Sequence, residues 1–325
     1  MIDRLFYVGR LGWLRSLPDV ESPADTPPSR IGGSGQSLYG RQWRDTLSYL
    51  DSWTWKWNNL LAPQTVYVDA LLHGQVRGPL RLLDPRKVNR VPRQQASGGS
   101  VSGSSEGFGV SAGGLQYRDL LKASPSVDTL PMGDSIRGCQ EWVRPNAGSG
   151  ALYLAGPELD GTWRAPLLPG EQVRLSMWVG GADGLAPELR WIEYERDDTP
   201  HSYYSTQQAS DTVALASGVW QEVSLLVTGK VASGTGTFTS ASITPRLYLP
   251  EGSPAGSVFV TGIQVRSVES ELPHGIHGAC VPDPPPGLWY PGGASPRVVV
   301  DPGPAAHADV GWYDAGLTLT ETTTV

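Results

Sequence analysis

The sequence predicts an all-β protein built from an N-terminal β domain with one short helix, a β-sandwich inserted after it, and closing strands that return to the first domain. Three observations predict this. Trp53, Trp55 and Trp57 in SWTWKWNNLL alternate with polar residues, the period of a half-buried strand. Short alternating segments separated by turns recur from residue 150 onward, with little helical period. The 40 Gly and 28 Pro are about a fifth of the 325 residues, which suits many turns. That length allows two or three domains with cores of their own.

Taken in order, LFYVG near the start is a strand candidate, and SLPDVESPADTPPSR, with four prolines, is an extended loop. The stretch from Gly40 to Lys56 is expected to form a hairpin turning near Leu50-Asp51. In it Trp53, Trp55 and Trp57 share one face and Ser52, Thr54, Lys56 and Asn58 the other. Burying an indole removes roughly 150–250 Å² from water, so a row of three is expected in a core or a subunit interface. Residues 63–73 are expected to be helical, with Pro63 in the first turn, Gly74 as the C-terminal cap and Val66, Ala70 and Leu71 on one face. VRGPLRLLDP offers a further strand. The Gly/Ser-rich residues 94–114 are expected to be a linker or loop-rich entry to the next domain.

Strands are then expected in GALYLAG, QVRLSMWVG, ELRWIEYE, WQEVSLLVTG, TPRLYLPEG and SVFVTGIQVRSV, and, beyond a Pro/Gly-rich connector, in PRVVVD and AGLTLTE. Two strands are too small a unit to fold alone. The domain expectation is therefore residues 1–95, completed by 296–325; a sandwich over 96–270; and a connector with closing strands over 271–325.

Composition excludes several functions. Charged residues make up 18% of the chain, the net charge is −7, and no basic stripe is present, so nucleic acid is not an expected partner. No apolar run is long enough to span a membrane, and MIDRLFYVGRLGW lacks the apolar stretch of a secretory signal. Two cysteines, Cys139 and Cys280, define no disulfide framework.

The run IGG…G……D.L.YLDSWTWKWNNL, a short helix and then GPLRLLDPRKVNRV resembles the minor tail proteins of actinobacterial siphophages. The resemblance includes an Asp-Pro-Arg-x-x-Asn motif at Asp84, Pro85, Arg86 and Asn89, and the closing PRVVVD…YDAGLTLTE. It covers about half the chain and implies a distal-tail architecture: a ring-forming β domain with a peripheral sandwich. The middle, through ALYLAG (151–156), LLPGEQVRLSMWV (167–179), GVWQEVSLLVTG (218–229) and SVFVTGIQV (257–265), is similar to family 4/9-type carbohydrate-binding modules, which are jelly rolls. Such sandwiches also serve as decoration, so this similarity does not by itself imply sugar binding.

Strand phase in the sandwich puts Trp178, Tyr248 and Tyr153 opposite the core-facing Val173, Leu175, Met177, Val179, Leu247, Leu249, Leu152 and Leu154. These three aromatics are the candidate glycan-stacking residues; the alternative is that loops or a neighbouring subunit cover them. The direction of Trp191, Tyr194, Tyr203 and Tyr204 is not readable. His274, His277 and Cys280 in HGIHGAC are metal-ligand types without a fourth partner, so a loop is expected and no metal. GVSAG places Ser111 in a Gly-x-Ser-x-Gly pattern, but the strand and helix such a nucleophile needs are not expected around it. Glu193, Glu195, Asp197 and Asp198 could pair as an acid and a base or hold Ca²⁺; a solvated face is the expectation.

The functional expectation is a structural protein of a phage tail tip that is not an enzyme and uses no cofactor. It would be made in the host cytoplasm and reside in the virion. Its partners would be copies of itself in a ring, other tail proteins and, through the sandwich, host surface glycans. Two alternatives are a carbohydrate-binding adhesin and a glycan hydrolase with an appended module.

Overall fold

In the computed structural model the chain divides into two units, one carried mainly by Leu83–Ser295 and the other by Leu5–Arg10, Leu14–Leu82 and Pro296–Val325. The structure describes residues 6–18, 29–31, 34–36, 42–44, 48–50, 52–76, 79–84, 89–120, 130, 136–156, 158, 160–181, 184–195, 200–203, 215, 217–232, 238–268, 297–301, 307–309 and 312–321. The elements begin with β1 (Tyr7–Gly9), β2 (Arg15–Ser16), β3 (Ser29–Ile31), β4 (Ser34–Gln36), β5 (Gln42–Arg44), β6 (Ser48–Leu50), β7 (Ser52–Leu61), α1 (Ala62–Leu72) and β8 (Leu80–Leu83). There follow α2 (Arg93–Ala96), β9 (Phe108–Val110), β10 (Gly114–Asp119), β11 (Gly138–Arg144), β12 (Gly150–Leu154), β13 (Ala165–Pro166), β14 (Gln172–Gly181), β15 (Glu188–Tyr194), β16 (Pro200–Tyr203), β17 (Gln221–Thr228), β18 (Ser242–Leu249) and β19 (Gly256–Ser267). The last strands are β20 (Arg297–Asp301), β21 (His307–Asp309) and β22 (Trp312–Glu321).

The flanking unit is organised by the tryptophan row. Its main sheet runs β2-β1-β8-β20-β22-β21, with β7 on the other side of β22. Trp53, Trp55 and Trp57 stand opposite Leu319, Leu317 and Ala315 in the antiparallel register, and all six are buried. The Trp55 and Trp57 rings stack with centroids 6.4 Å apart, and Phe6 meets Trp55 edge-on at 5.2 Å. On the opposite face Thr54 lies 3.3 Å from Thr318, hydroxyl to hydroxyl, and Lys56 is exposed. The three indoles are therefore core. The closing strands do return: β20 pairs β8 at Val298↔Leu80, and β22 pairs β7.

Two local expectations are corrected here. Residues 40–56 do not form a hairpin: β6 pairs β3, β5 pairs β4, and β7 takes β22. A ten-residue strand with an apolar row finds its match in the alternating Leu317 and Leu319, not in the three residues of β6. In α1 the buried face carries Thr65, Val68 and Leu71, while Val66 is 66% exposed and Ala70 only half-buried. The apolar residues of this helix lie on more than one face, so its sequence does not specify the phase, and docking onto the tryptophan core does. Its C-terminus closes as expected at Gly74: Gln75 N donates to Ala70 O at 2.8 Å and Gly74 N to Leu71 O at 3.1 Å, with Gly74 at φ +64°.

The other unit is a β-sandwich. One sheet runs β10-β11-β19-β14-β17; the second runs β16-β15-β18-β12-β9, with β13 also on β18. Between them lie Val173, Leu175, Met177 and Val179 from one sheet and Leu152, Leu154, Leu247 and Leu249 from the other, the phase their alternation predicts. Of the two readings of residues 94–114, the loop-rich entry to the next domain holds and the linker does not. Gln95, Ala96, Ser97, Gly98 and Gly99 are buried and β9 joins the second sheet. A Cβ on Gly98, at φ +62°, would sit 2.5 Å from the Thr261 hydroxyl, so glycine here permits close packing rather than flexibility.

The unit boundary falls near residue 83 because the following segment docks on the sandwich through buried polar groups. Asn89 is fully buried; its amide nitrogen donates to Ile263 O at 3.0 Å and its oxygen accepts from Val91 N and Val265 N, both at 3.1 Å. Arg90 forms a two-pronged pair with Glu171 and donates to Pro166 O at 2.7 Å, while Leu168 N donates to the same carboxylate at 3.0 Å. Of the Asp-Pro-Arg-x-x-Asn motif, Asp84 and Asn89 are described and buried; Pro85 and Arg86 lie outside the described residues.

Trp55→Ala is expected to destabilise the flanking unit by about 3–5 kcal/mol, the usual cost of truncating a buried aromatic. Chemical denaturation read by tryptophan fluorescence would show it, and an unchanged midpoint would remove the indole row from the core.

Candidate functional site

Trp178 does not offer a ring to a ligand. Its strand phase is as expected, pointing away from the sandwich core, but it is only 7% exposed. It belongs to a second apolar cluster with Leu120, Leu130, Ile136, Cys139 and Trp220, which Phe259 also packs against. Segments flanking the sheet cover the ring, a packing that strand alternation does not reveal. Burial also pushes the Cys139 thiol up to about 12, which makes it inert at neutral pH. Cys280, His274, His277, Asp197, Asp198 and Tyr204 lie outside the described residues, as does the side chain of Tyr203.

Tyr153 and Tyr248 are both partly exposed on the outer face of the second sheet. Register sets their surroundings. Tyr153, Arg246 and Arg190 stand side by side across β12, β18 and β15, and Ala151, Tyr248 and Glu188 form the next row. The Tyr153 ring packs against Gly109 of β9, its cross-strand partner, where any Cβ would come within 2.6 Å of the ring. The Arg190 guanidinium lies 3.5 Å from the Tyr248 ring centre and Arg246 5.6 Å from that of Tyr153. Glu188 accepts from Arg190 Nε at 2.9 Å and pairs with its Nη2 at 2.7 Å. Arg246 Nε and, two residues earlier, Thr244 Oγ1 are buried with no hydrogen-bond partner among the described residues. Two tyrosine rings flanked by planar cations form a surface able to stack on an apolar ring face and to donate hydrogen bonds beside it. The Glu188 and Arg190 contributions were legible in ELRWIEYE, where they alternate with Leu189 and Trp191, but aromatic residues alone do not point to them.

Further along the same face Tyr194 is closed over by Asp160, Thr162 and Arg164. Arg164 stacks 3.6 Å above its ring, and the Tyr194 hydroxyl donates to Asp160 Oδ2 at 2.9 Å. Asp160 also accepts from Thr162 N at 3.1 Å and Thr162 Oγ1 at 2.6 Å. Burial alone would raise the Asp160 carboxyl, but these hydrogen bonds and the Arg164 charge outweigh it and bring it from 3.8 to about 2.

The other chemical candidates resolve into structure. Ser111 sits between two antiparallel strands with no helix after it, and its hydroxyl accepts from Ala151 N at 2.8 Å. Glu193 is not on a solvated face: it is 1% exposed and accepts from Ser240 Oγ at 2.9 Å and Trp191 Nε1 at 3.3 Å. Trp191 itself joins the sandwich core. Among the described residues no three His, Cys, Asp or Glu side chains are placed to hold a metal ion, and no helix is long and apolar enough to cross a membrane.

No protein-family model and no curated protein sequence matches the chain. Solved structures similar to it include the enzymatically active domain of tailspike protein 4 of bacteriophage CBA120, at 8% identity and a TM-score of 0.39, over 56% of this chain and 22% of that one. TmCBM61 in complex with β-1,4-galactotriose is similar at 11% identity and a TM-score of 0.33, over 55% of this chain and 98% of that one. The CBM22-1 xylan-binding domain of Paenibacillus barcinonensis Xyn10C is similar at 14% identity and a TM-score of 0.30, over 51% of this chain and 89% of that one. The chain thus spans about a fifth of the tailspike chain it matches.

Two outcomes are expected here. Trp178→Ala should destabilise the sandwich by about 3–5 kcal/mol; full stability in thermal unfolding would return the ring to the surface. Asp160→Asn should lower stability at neutral pH. A depressed carboxyl contributes above its unfolded range and loses that contribution as pH falls through its folded value. The gap between wild type and variant should therefore close as pH drops from 3.8 to about 2. Unfolding curves across that range would check it, and a gap independent of pH would mean the carboxylate charge plays no part.

Proposed function

We propose that this chain is a non-catalytic structural component of a phage tail tip, resident in the virion. It assembles with copies of itself and with other tail proteins, and its sandwich binds host surface glycans through the Tyr153–Tyr248 face. One observation carries the binding reading: two partly exposed tyrosine rings, each beside an arginine, on the outer face of one sheet. Sugar rings bring apolar C–H faces to aromatic rings and hydroxyls to neighbouring donors. The tail reading is supported by the resemblance of the tryptophan strand, the Gly-Pro strand and the Asp-Pro-Arg-x-x-Asn motif to siphophage minor tail proteins. Self-assembly is supported by β7, which among the described residues has a strand neighbour only in β22 and so leaves ten residues of edge for another copy. The absence of catalysis is supported by Ser111 and Glu193, whose side chains hold strands and a core together.

A glycan array probed with the full chain tests the binding. Wild type is expected to retain host wall glycans. Replacing Tyr153 and Tyr248 by Ala together should weaken binding by roughly ten- to thirtyfold, the worth of lost apolar contacts, with the thermal unfolding midpoint kept. An array that retains nothing would sink the glycan reading, and electron micrographs showing only single copies would sink the assembly reading.

A further inference from the structure

The candidate face has an uncompensated charge, and this bears on which saccharide it takes. Arg190 and Arg246 are direct cross-strand neighbours on one face. Like charges in that arrangement repel. Among the described residues the two rows around Tyr153 and Tyr248 hold a single carboxylate, Glu188, and Arg190 engages it through both Nε and Nη2. Among the described residues Arg246, on the central strand of the sheet, has no carboxylate partner and its buried Nε has no acceptor. In a chain of net charge −7 this face thus presents a guanidinium with no carboxylate partner among the described residues, beside a tyrosine ring packed over glycine.

Resting on the glycan reading above, we propose that the face takes an acidic saccharide, a sugar carrying an oxyanion, and that Arg246 is the group that reads its charge. A guanidinium is planar and always charged, and its fork of N–H donors matches a carboxylate or phosphate edge-on. Tyr153 stacks on the sugar ring while Arg246 takes the oxyanion of the same ring or its neighbour. Arg190, already satisfied by Glu188, covers Tyr248 and adds positive potential without being the specific partner. A neutral saccharide would leave Arg246 unpaired on binding, at the cost of part of its hydration.

Isothermal titration of the full chain with three probes tests this: trigalacturonate, its methyl ester and a glycerol-phosphate polymer. The ester keeps the rings and removes the charge. At low salt at least one anionic probe is expected to bind about tenfold more tightly than the ester, and the tighter of the two identifies carboxylate or phosphate as the anion. Raising the ionic strength should shrink the preference. Arg246→Gln should abolish it by weakening the anionic probes far more than the ester, with the unfolding midpoint kept, and Arg246→Lys, which keeps the charge and most of the packing, should retain part of it. Equal affinity for all three probes, or a preference that survives Arg246→Gln, would overturn the inference and leave the glycan reading standing. Binding of none of the three overturns the inference, and only if the glycan array is also empty does the glycan reading fall with it.

Discussion

The pairing of β7 with β22 is the contact on which the flanking unit rests. The Thr54 and Thr318 hydroxyls that meet across it are 264 positions apart in sequence. The core of that unit draws buried residues from both flanks of the sandwich sequence, so it cannot close fully before the sandwich segment has been spanned. Loop closure over such a length costs only slowly more than over a shorter one, but it must precede the contacts that reward it. Three indoles against two leucines and an alanine supply that reward in one register. A slip by one residue would turn all of them out to solvent, so the register is strongly specified.

The sandwich solves a different problem. Its first segment, residues 89–99, has almost no apolar side chains to bury, yet it is among the most buried stretches of the chain. It is held by polar satisfaction. Asn89 forms a single antiparallel bridge with Arg266 and adds its side-chain amide, giving and taking hydrogen bonds with the β19 backbone, and Arg90 is matched to Glu171 in a dry setting. Buried charge of this kind contributes little net stability compared with apolar packing, but removing one partner leaves the other stranded. The arrangement is therefore better understood as a device for placement than for strength: a segment rich in Gly and Ser has few ways to specify where it lies except through hydrogen bonds with fixed direction.

What could be read from the sequence follows from this contrast. Strands with a clean period of two were legible with their facing residues: the tryptophan row, QVRLSMWVG, PRLYLPEG and the return of AGLTLTE. The all-β class follows from them. Where packing is polar or glycine-mediated, the alternation signal is missing, and residues 94–114 look like a linker although they are part of the fold. The β11 strand, GCQEWVR, was not anticipated for a related reason: polar Gln140 and Glu141 interrupt its apolar residues. The phase of α1 failed because its apolar residues are spread around the helix, leaving tertiary contact to choose among them.

Trp178 and Tyr248 show where such reading stops for a site. Both stand on the outward phase of a long sandwich strand and both carry an arginine two or four residues earlier on the same face, at Arg246 and Arg174. One became the floor of a covered apolar cluster, the other part of a partly exposed row. What separates them lies outside the strands. Leu120, Leu130 and Ile136 are apolar residues with no place in the main core, and they need a surface to cover; Trp178, with Trp220 beside it, is the surface that takes them. The Tyr248 row has an ion pair on the adjacent strand, Glu188 with Arg190, whose burial under an apolar lid would be costly. Cross-strand neighbours do not decide the matter, since Trp178 stands opposite Glu222 and Thr261 and is covered all the same. An outward aromatic on a strand is thus a candidate for binding only when no apolar segment elsewhere in the chain is left to cover it.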